Sequence, residues 1–286
     1  MGKSTLLNRI VGQKISIVTP RPQTTRNRIL AVRNLPDAQL VFLDTPGIHE
    51  PKHRLGEIIL RTAVTSIREV DLVLLVVEPR GPQPEDFSII DIVKAAGKTA
   101  FLVINKVDSV GKAALLPIID EYSRAFGFAE IVPVSALTGD GVEGLVAICA
   151  RHMPVGPKYY PEDIVTDRME RFMAAEIVRE KLMLHTFEEI PHSLAVEVLS
   201  WDERPVARPL RQNDGMILIE ANIYIEKMSQ KGIIIGSGGA MLKQVGTEAR
   251  KDIERLLNAR VHLKLFVKVR KDWRKNEGIL KELGYA

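Results

Sequence analysis

Cysteine occurs once in these 286 residues, as Cys149, which excludes any disulfide within the chain and any cysteine-based zinc site and fits a reducing compartment. Long apolar runs are missing as well. The longest, near Leu72 to Val77, is far too short to cross a bilayer, so no transmembrane segment is expected. No charged leader followed by an apolar stretch and a small-residue cleavage site opens the sequence, so nothing marks secretion and the cytoplasm is the expected compartment. Nor is there a large charge of one sign: 40 Lys and Arg against 36 Asp and Glu leave +4, too small an excess to establish nucleic-acid binding. What is present is the mix of a folded protein, 45% hydrophobic and 27% charged, at a length that suits two ordinary domains.

The chain is organised around Leu40 to Gly47, Leu-Val-Phe-Leu-Asp-Thr-Pro-Gly, an apolar strand that stops at an Asp followed by Pro-Gly. A nucleotide-binding sheet presents a carboxylate to Mg²⁺ in this way. Three further signals line up with it: Gly2-Lys3-Ser4-Thr5 before, then Asn105-Lys106-Val107-Asp108 and Ser135-Ala136 after. Each alone is weak, because such short runs arise by chance. Their order is strong evidence, since every gap fits one or two strand-helix crossovers of an α/β sheet.

A phosphate-binding loop reads Gly-x-x-x-x-Gly-Lys-Ser/Thr, and only its last three residues stand here, as Gly2-Lys3-Ser4. The first half of the loop and the strand before it are expected to be absent, and with them the N–H groups that wrap the β-phosphate. Two explanations stay open, a start assigned to an internal GTG codon at Met1 or a truncated chain. The chain as written is expected to bind GTP weakly or not at all. Ser4 to Val11 reads as the helix after the loop, with Lys3 reaching the β- and γ-phosphates and the Ser4 hydroxyl on Mg²⁺. Thr19-Pro20-Arg21-Pro22-Gln23-Thr24-Thr25-Arg26 suits a switch loop that orders with GTP and releases with GDP. Thr24 and Thr25 are both candidate Mg²⁺ ligands, Thr25 the preferred one.

Ile29 to Val32 and Leu40 to Leu43 read as a strand pair. Asp44 ends the second and would hold Mg²⁺ through water, while the Gly47 N–H meets the γ-phosphate. Lys3, Thr25 and Gly47 thus form the catalytic set, and Ser4, Thr25 and Asp44 the metal set. Ile48 stands where Ras-like proteins carry a water-positioning glutamine, and an isoleucine cannot polarise water. The attacking water is then expected to be held by backbone, the switch loop or a partner, with slow intrinsic turnover. His49, beside Glu50-Pro51-Lys52-His53, reads as a solvated loop residue. Helices are expected over 58–70 and 84–96, strands over 71–78, 100–104 and 131–134, and a closing helix up to His152. The strand ending at Ile104 delivers Asn105 to Asp108 to the carboxyl edge of the sheet. Asp108 can accept from the ring N–H and the amino group of guanine, two donors that adenine does not present together. Asn105 bonds base and loop, and Ser135-Ala136 offers a backbone N–H to the guanine oxygen. With Gly2, Thr5 and Lys106 these complete the nucleotide set.

At these residues the sequence resembles the translation-factor-like GTPases, in motif order, spacing and the Pro of Asp44-Thr45-Pro46-Gly47. A Pro-rich connector beginning Met153-Pro154-Val155-Gly156-Pro157 sets the expected bounds: a GTPase domain over 1–153, a linker over 154–166 and a second domain over 167–286. In the second domain, Asp167 is expected to cap a helix to about His185. Strands follow over 193–201 and 216–225 about a Pro/Arg-rich loop at 202–213. A short apolar turn, 231–235, meets Gly236-Ser237-Gly238-Gly239, and a helix to Asn258 leads to a strand over 261–269. Trp273 is expected to pack on the domain.

This order resembles the bacterial-type, type II KH domain, an α+β fold in which a Gly-x-x-Gly loop lets single-stranded backbone approach closely. KH loops usually carry Lys or Arg between the glycines. Ser237 and Gly238 stand there instead, so phosphate attraction is assigned to Lys231, Lys243, Arg250 and Lys251. The two halves together resemble the Era family over essentially the full chain. That resemblance implies a P-loop GTPase sheet with helices on both faces, followed by the smaller KH domain, using GTP/GDP and Mg²⁺. It further implies binding to the 3′ end of small-subunit ribosomal RNA and to the pre-small ribosomal subunit, as a monomer in the cytoplasm with some peripheral contact to the inner face of the membrane. An RNA-binding adaptor that no longer binds nucleotide is the competing reading.

Overall fold

The computed structural model describes residues 1–162, 164–167, 169–204 and 216–285, which form two compact units. The first comprises Met1–Val18, Thr25–Glu50 and Ile59–Asp167; the second comprises Arg168–Ala286 with the short segments Thr19–Thr24 and Pro51–Ile58. The switch peptide read from the sequence therefore divides between units at Thr24 and Thr25.

The first unit runs α1 (Lys3–Val11), β1 (Ile29–Asn34), β2 (Gln39–Asp44), α2 (Arg54–Glu69, its first turn counted with the second unit), β3 (Leu72–Val77), α3 (Pro84–Ala96), β4 (Thr99–Ile104), α4 (Leu115–Ala125), β5 (Glu130–Pro133) and α5 (Val142–His152). Strands β3, β4 and β5 pair in parallel in that order, and β1 and β2 form a separate antiparallel pair. Because side chains alternate along a strand, the parallel sheet is apolar on both faces. Val76, Phe101 and Val103 pack with Leu6, Ile10, Leu145 and Cys149 on one side. Leu75, Val77, Leu102 and Ile104 pack with Ile90, Leu115 and Tyr122 on the other. Helices thus cover both faces, as parallel strands require. Burial pushes the Cys149 thiol up to about 12, which leaves it an inert apolar filler.

The sequence reads 154–166 as a linker, yet Glu162, Val165 and Thr166 of that segment bond to β1. Val32 N–H donates to Val165 O at 2.8 Å, Ala31 bridges Thr166 in antiparallel fashion, and Gln39 Oε1 accepts from the amides of Tyr159 and Tyr160, both at 2.9 Å. An edge strand leaves N–H and C=O groups to satisfy, and the departing chain satisfies them. Asp167 consequently belongs to the first unit and does not cap the next helix, whose N-cap is Met169.

The second unit contains α6 (Glu170–His185), α7 (Ile190–Ser193), β6 (Ala195–Arg204), β7 (Met216–Ile225), α8 (Met228–Ile235), α9 (Ala240–Leu257), β8 (Arg260–Val269) and α10 (Glu277–Glu282). The Pro/Arg-rich loop expected over 202–213 begins later than the sequence suggests, because β6 extends through Arg204; the rest lies outside the described residues. Strand β7 is central, antiparallel to β6 and parallel to β8 in register from Met216↔Arg260 to Ile225↔Val269. A parallel neighbour needs a crossover, and α8 with α9 supplies it. Ile217, Ile219, Ile223 and Ile225 of β7 meet Ile177, Val178 and Leu182 of α6, and Val245, Ala249 and Ile253 of α9, in one core. The i, i+4 spacing of the α9 set places all three on one face. The apolar turn read at 231–235 is the end of α8, since Ile234 is fully buried and helical packing recruits its neighbours.

Trp273 closes the far end of this unit, fully buried, donating from Nε1 to Ser193 O at 2.9 Å and stacking on Tyr285. Trp273→Ala is expected to destabilise the protein by about 3–5 kcal/mol, through lost burial and an unpaired carbonyl. Trp273→Phe should cost distinctly less. Urea unfolding of the full chain measures both, and equal midpoints for the parent and Trp273→Ala would contradict this.

Candidate guanine-nucleotide site and Gly-x-x-Gly loop

Gly2 sits at the N-cap of α1 with φ +83°, and a Cβ there would lie 2.7 Å from Asn105 Nδ2. Only glycine combines that conformation with that approach. The first bond of the helix runs from Leu6 N–H to Gly2 O, so the amides of Lys3, Ser4 and Thr5 precede the ladder and point out of the helix N-terminus, where a phosphate is favoured. The Lys3 ammonium is held below the ordinary lysine range by burial, with Asp44 offsetting part of that effect.

Ser4, Thr25 and Asp44 converge. Ser4 Oγ donates to Asp44 Oδ2 at 2.8 Å and lies 2.9 Å from Thr25 Oγ1. Thr24 turns away: its hydroxyl donates to Arg21 O at 2.8 Å and meets Thr19 Oγ1 at 2.6 Å. Its carbonyl accepts from Arg179, a fully buried guanidinium paired with Glu176. Two hydroxyls and one carboxylate form an oxygen-only donor set, which suits a hard cation that keeps several waters. Among the described residues no group of three or more His, Cys, Asp and Glu could hold a metal ion, and the oxygen-only set here does not suit a softer metal.

Ser16 is a participant the sequence reading missed, its hydroxyl donating to Asp44 Oδ2 at 2.7 Å. Asn8 fixes it there, accepting from the amides of Ile15 and Ser16 and donating to Ser16 O. No sequence signal marks either residue, because both act through a loop closed onto a helix.

At the base-side edge, buried Asn105 donates to Met1 O and accepts from Ala136 N–H, both at 2.9 Å. One amide therefore ties the residue before Gly2 to Ser135-Ala136. Asp108 is exposed, and its carboxylate accepts from the hydroxyl of buried Ser135. Lys106 pairs with Glu78, whose carboxyl falls to about 2 chiefly through that hydrogen bond.

His49 departs from the expectation of a solvated side chain. It is half-buried, and its Nε2 lies 2.9 Å from where a Cβ on Gly47 would stand, with Lys3 Nζ 3.7 Å from the same point. Burial, then Lys3, hold the imidazole below its ordinary range against an opposing pull from Glu85.

In the second unit Gly236, Gly238 and Gly239 all have positive φ, at +74°, +56° and +82°. A Cβ on Gly236 would meet Met241 N at 2.8 Å, whereas Gly238 and Gly239 face open space. Ser237 is exposed beside them. Lys243, Arg250 and Lys251 share the solvent side of α9, and Lys231 is half-buried on α8. Arg250 has Glu254 at 3.9 Å. Lys231, Lys243 and Lys251 have no ion-pair partner among the described residues.

A strand-end Asn105-Lys106-Val107-Asp108 turn, a hydroxyl-carboxylate cluster at a helix N-terminus and an appended Gly-x-x-Gly fold are the features of a guanine-nucleotide-binding domain followed by a KH domain. The family described as 50S ribosome-binding GTPase matches residues 1–106, and the KH domain family matches 189–274. GTPase Era of Geobacter metallireducens is 52% identical over 287 residues, covering 100% of this chain and 94% of that protein. Its counterpart in Clostridium novyi is 48% identical, covering 100% and 95%. A solved structure of Era in complex with MgGDPNP and nucleotides 1506–1542 of 16S ribosomal RNA matches with TM-score 0.93 at 41% identity, covering 100% of this chain and 95% of that one. A substituted Aquifex aeolicus Era bound to GDP·AlF4⁻ gives the same TM-score at 40% identity, with the same coverage. The chain belongs to the Era family of GTPases.

Asp108→Asn is expected to weaken GTP binding by roughly a hundredfold or more, since two hydrogen bonds to a charged acceptor are lost, and to favour xanthosine nucleotides, whose carbonyl suits an amide donor. Titration of the protein with GTP and XTP reads this out. An unchanged preference would remove Asp108 from the base site.

Proposed function

We propose that this protein is a GTP-hydrolysing switch that carries single-stranded RNA on its KH unit and assists small ribosomal subunit assembly. The observation that carries the nucleotide half is the meeting of Ser4, Thr25 and Asp44 below the N-terminus of α1. These three would hold Mg²⁺, which when bound bridges phosphate oxygens and neutralises developing charge. Lys3 and the amides of Gly2 to Thr5 would then face the phosphates, and the Gly47 N–H the γ-phosphate. Asn105, Asp108, Ser135 and Ala136 would select guanine, with Lys106 lining the base site. Thr25 would join nucleotide state to loop position, because its hydroxyl bonds Ser4.

The RNA half rests on the open Gly238 and Gly239 of the turn and on lysines beside it that have no ion-pair partner among the described residues, together with the solved relative that holds nucleotides 1506–1542 of 16S ribosomal RNA. The proposed ligand is accordingly the 3′ end of small-subunit ribosomal RNA, alone and in the pre-small subunit. The protein acts as a monomer in the cytoplasm, with a peripheral fraction at the inner face of the membrane. Among the described residues no helix is long and apolar enough to cross a membrane.

The test substitutes Asp at Gly238 and Gly239. Aspartate tolerates a left-handed backbone, and neither added Cβ meets an atom within 4 Å. Gly236→Asp is unsuitable because it would strike the Met241 backbone. Binding of a fluorescent RNA with the 3′-terminal 16S sequence should weaken at least tenfold while circular dichroism stays parental. Lys243→Ala should weaken all sequences alike and flatten the salt dependence by about 0.7 of a unit, the single-strand value for one phosphate contact. Parental affinity and salt slope in the doubly substituted protein would defeat the KH assignment.

A further inference from the structure

The residue after Asp-x-x-Gly is Ile48, which has no group to hold water, and the structure puts a different side chain in front of Gly47. His49 Nε2 and Lys3 Nζ flank one point, 2.9 and 3.7 Å from the position of a Gly47 Cβ. Lys3 is the phosphate-directed cation and Gly47 the γ-phosphate-facing backbone of the proposed site, so the imidazole stands where the terminal phosphate is approached. A substituent at Gly47 would displace the ring, and glycine leaves it room. The ring is neutral at neutral pH, because burial and Lys3 both disfavour its charged form. One ring nitrogen is therefore available to accept a hydrogen bond while the other donates. A charged imidazolium could only donate.

We propose that His49 is the side chain that holds the attacking water of GTP hydrolysis in this protein, an inference that rests on the GTPase reading above. The water oxygen forms a bond to the γ-phosphorus as the bond to the β–γ bridging oxygen breaks. That bond's electron pair leaves with GDP. The water proton passes to a γ-phosphate oxygen, giving inorganic phosphate. His49 accepts a hydrogen bond from the water during approach and is unchanged at the end, so its contribution is orientation, a term that can be worth about a hundredfold when lost.

The experiment uses the protein and its His49→Ala and His49→Gln variants. It measures single-turnover GTP hydrolysis at saturating Mg²⁺, affinity for a fluorescent GDP, and trapping of that GDP by aluminium fluoride, which mimics the transferring phosphoryl group. His49→Ala should slow hydrolysis about tenfold to a hundredfold and lose aluminium fluoride trapping, with GDP affinity within twofold of the parent. His49→Gln retains an acceptor and should recover most of the rate. Hydrolysis within threefold of the parent in His49→Ala, with trapping intact, would overturn the assignment. So would a parallel loss of GDP affinity, which would make the residue merely structural. If the parent itself turns over no GTP, the GTPase reading fails first and the His49 role falls with it.

Discussion

A buried carboxylate must be surrounded by donors, because leaving it unsolvated and unpaired costs several kcal/mol, and Asp44 is 5% exposed. The first unit is arranged to meet that demand. Ser4 reaches it from the first turn of α1, Ser16 from the loop after that helix, and the Lys3 charge is felt there. Satisfying one carboxylate therefore fixes the end of β2, the start of α1 and the path of the intervening loop. Asn105 performs the matching task on the other side with a neutral amide, holding one backbone carbonyl and one backbone amide from opposite ends of the unit. Hydrogen bonds inside a low-dielectric site are strong when all are made, and here the two stitches share the helix N-terminus between them.

The second unit depends on a different constraint. Its central and edge strands are parallel, so the chain must cross over between them, and α8 and α9 perform the crossing with the glycine loop as their hinge. Gly236 is confined by the Met241 backbone and is required for the turn itself. Gly238 and Gly239 face open space, so their small size has no packing explanation within the unit. All three glycines take the positive φ of the turn, but only Gly238 and Gly239 also leave the surface over it bare.

Motifs that act through backbone geometry were legible in the sequence, since glycine, proline and a carboxylate at a strand end leave few alternatives. The sheet strands, both crossovers and the order of the two units follow from those and from apolar periodicity. Thr24 and Thr25 could not be separated by type, as both are threonines in a loop. Only the pull of Arg179 on the Thr24 carbonyl and of Ser4 on the Thr25 hydroxyl distinguishes them. Asp167 was misread because it has the ideal chemistry for a helix cap; the edge of β1 pairs with Val165 and Thr166, just before it, and Asp167 falls in the first unit. His49 was misread for a similar reason, since a charged neighbourhood in sequence says nothing about which side chain folds back over a glycine.

Net charge is the least informative quantity here and local charge the most. Several basic groups of the second unit are neutralised within it: Lys264 by Glu220, Arg270 by Glu282, Arg274 by Glu226 and Lys181 by Asp252. Lys231, Lys243 and Lys251, on the helices flanking the loop, have no ion-pair partner among the described residues. An ion pair already made must be broken before its cation can serve a phosphate, whereas an exposed unpaired lysine gives up only counterions and water. A chain with an excess of only +4 can therefore still present cations to a phosphate beside the bare turn, because the local arrangement of charge and not its sum decides what a ligand meets.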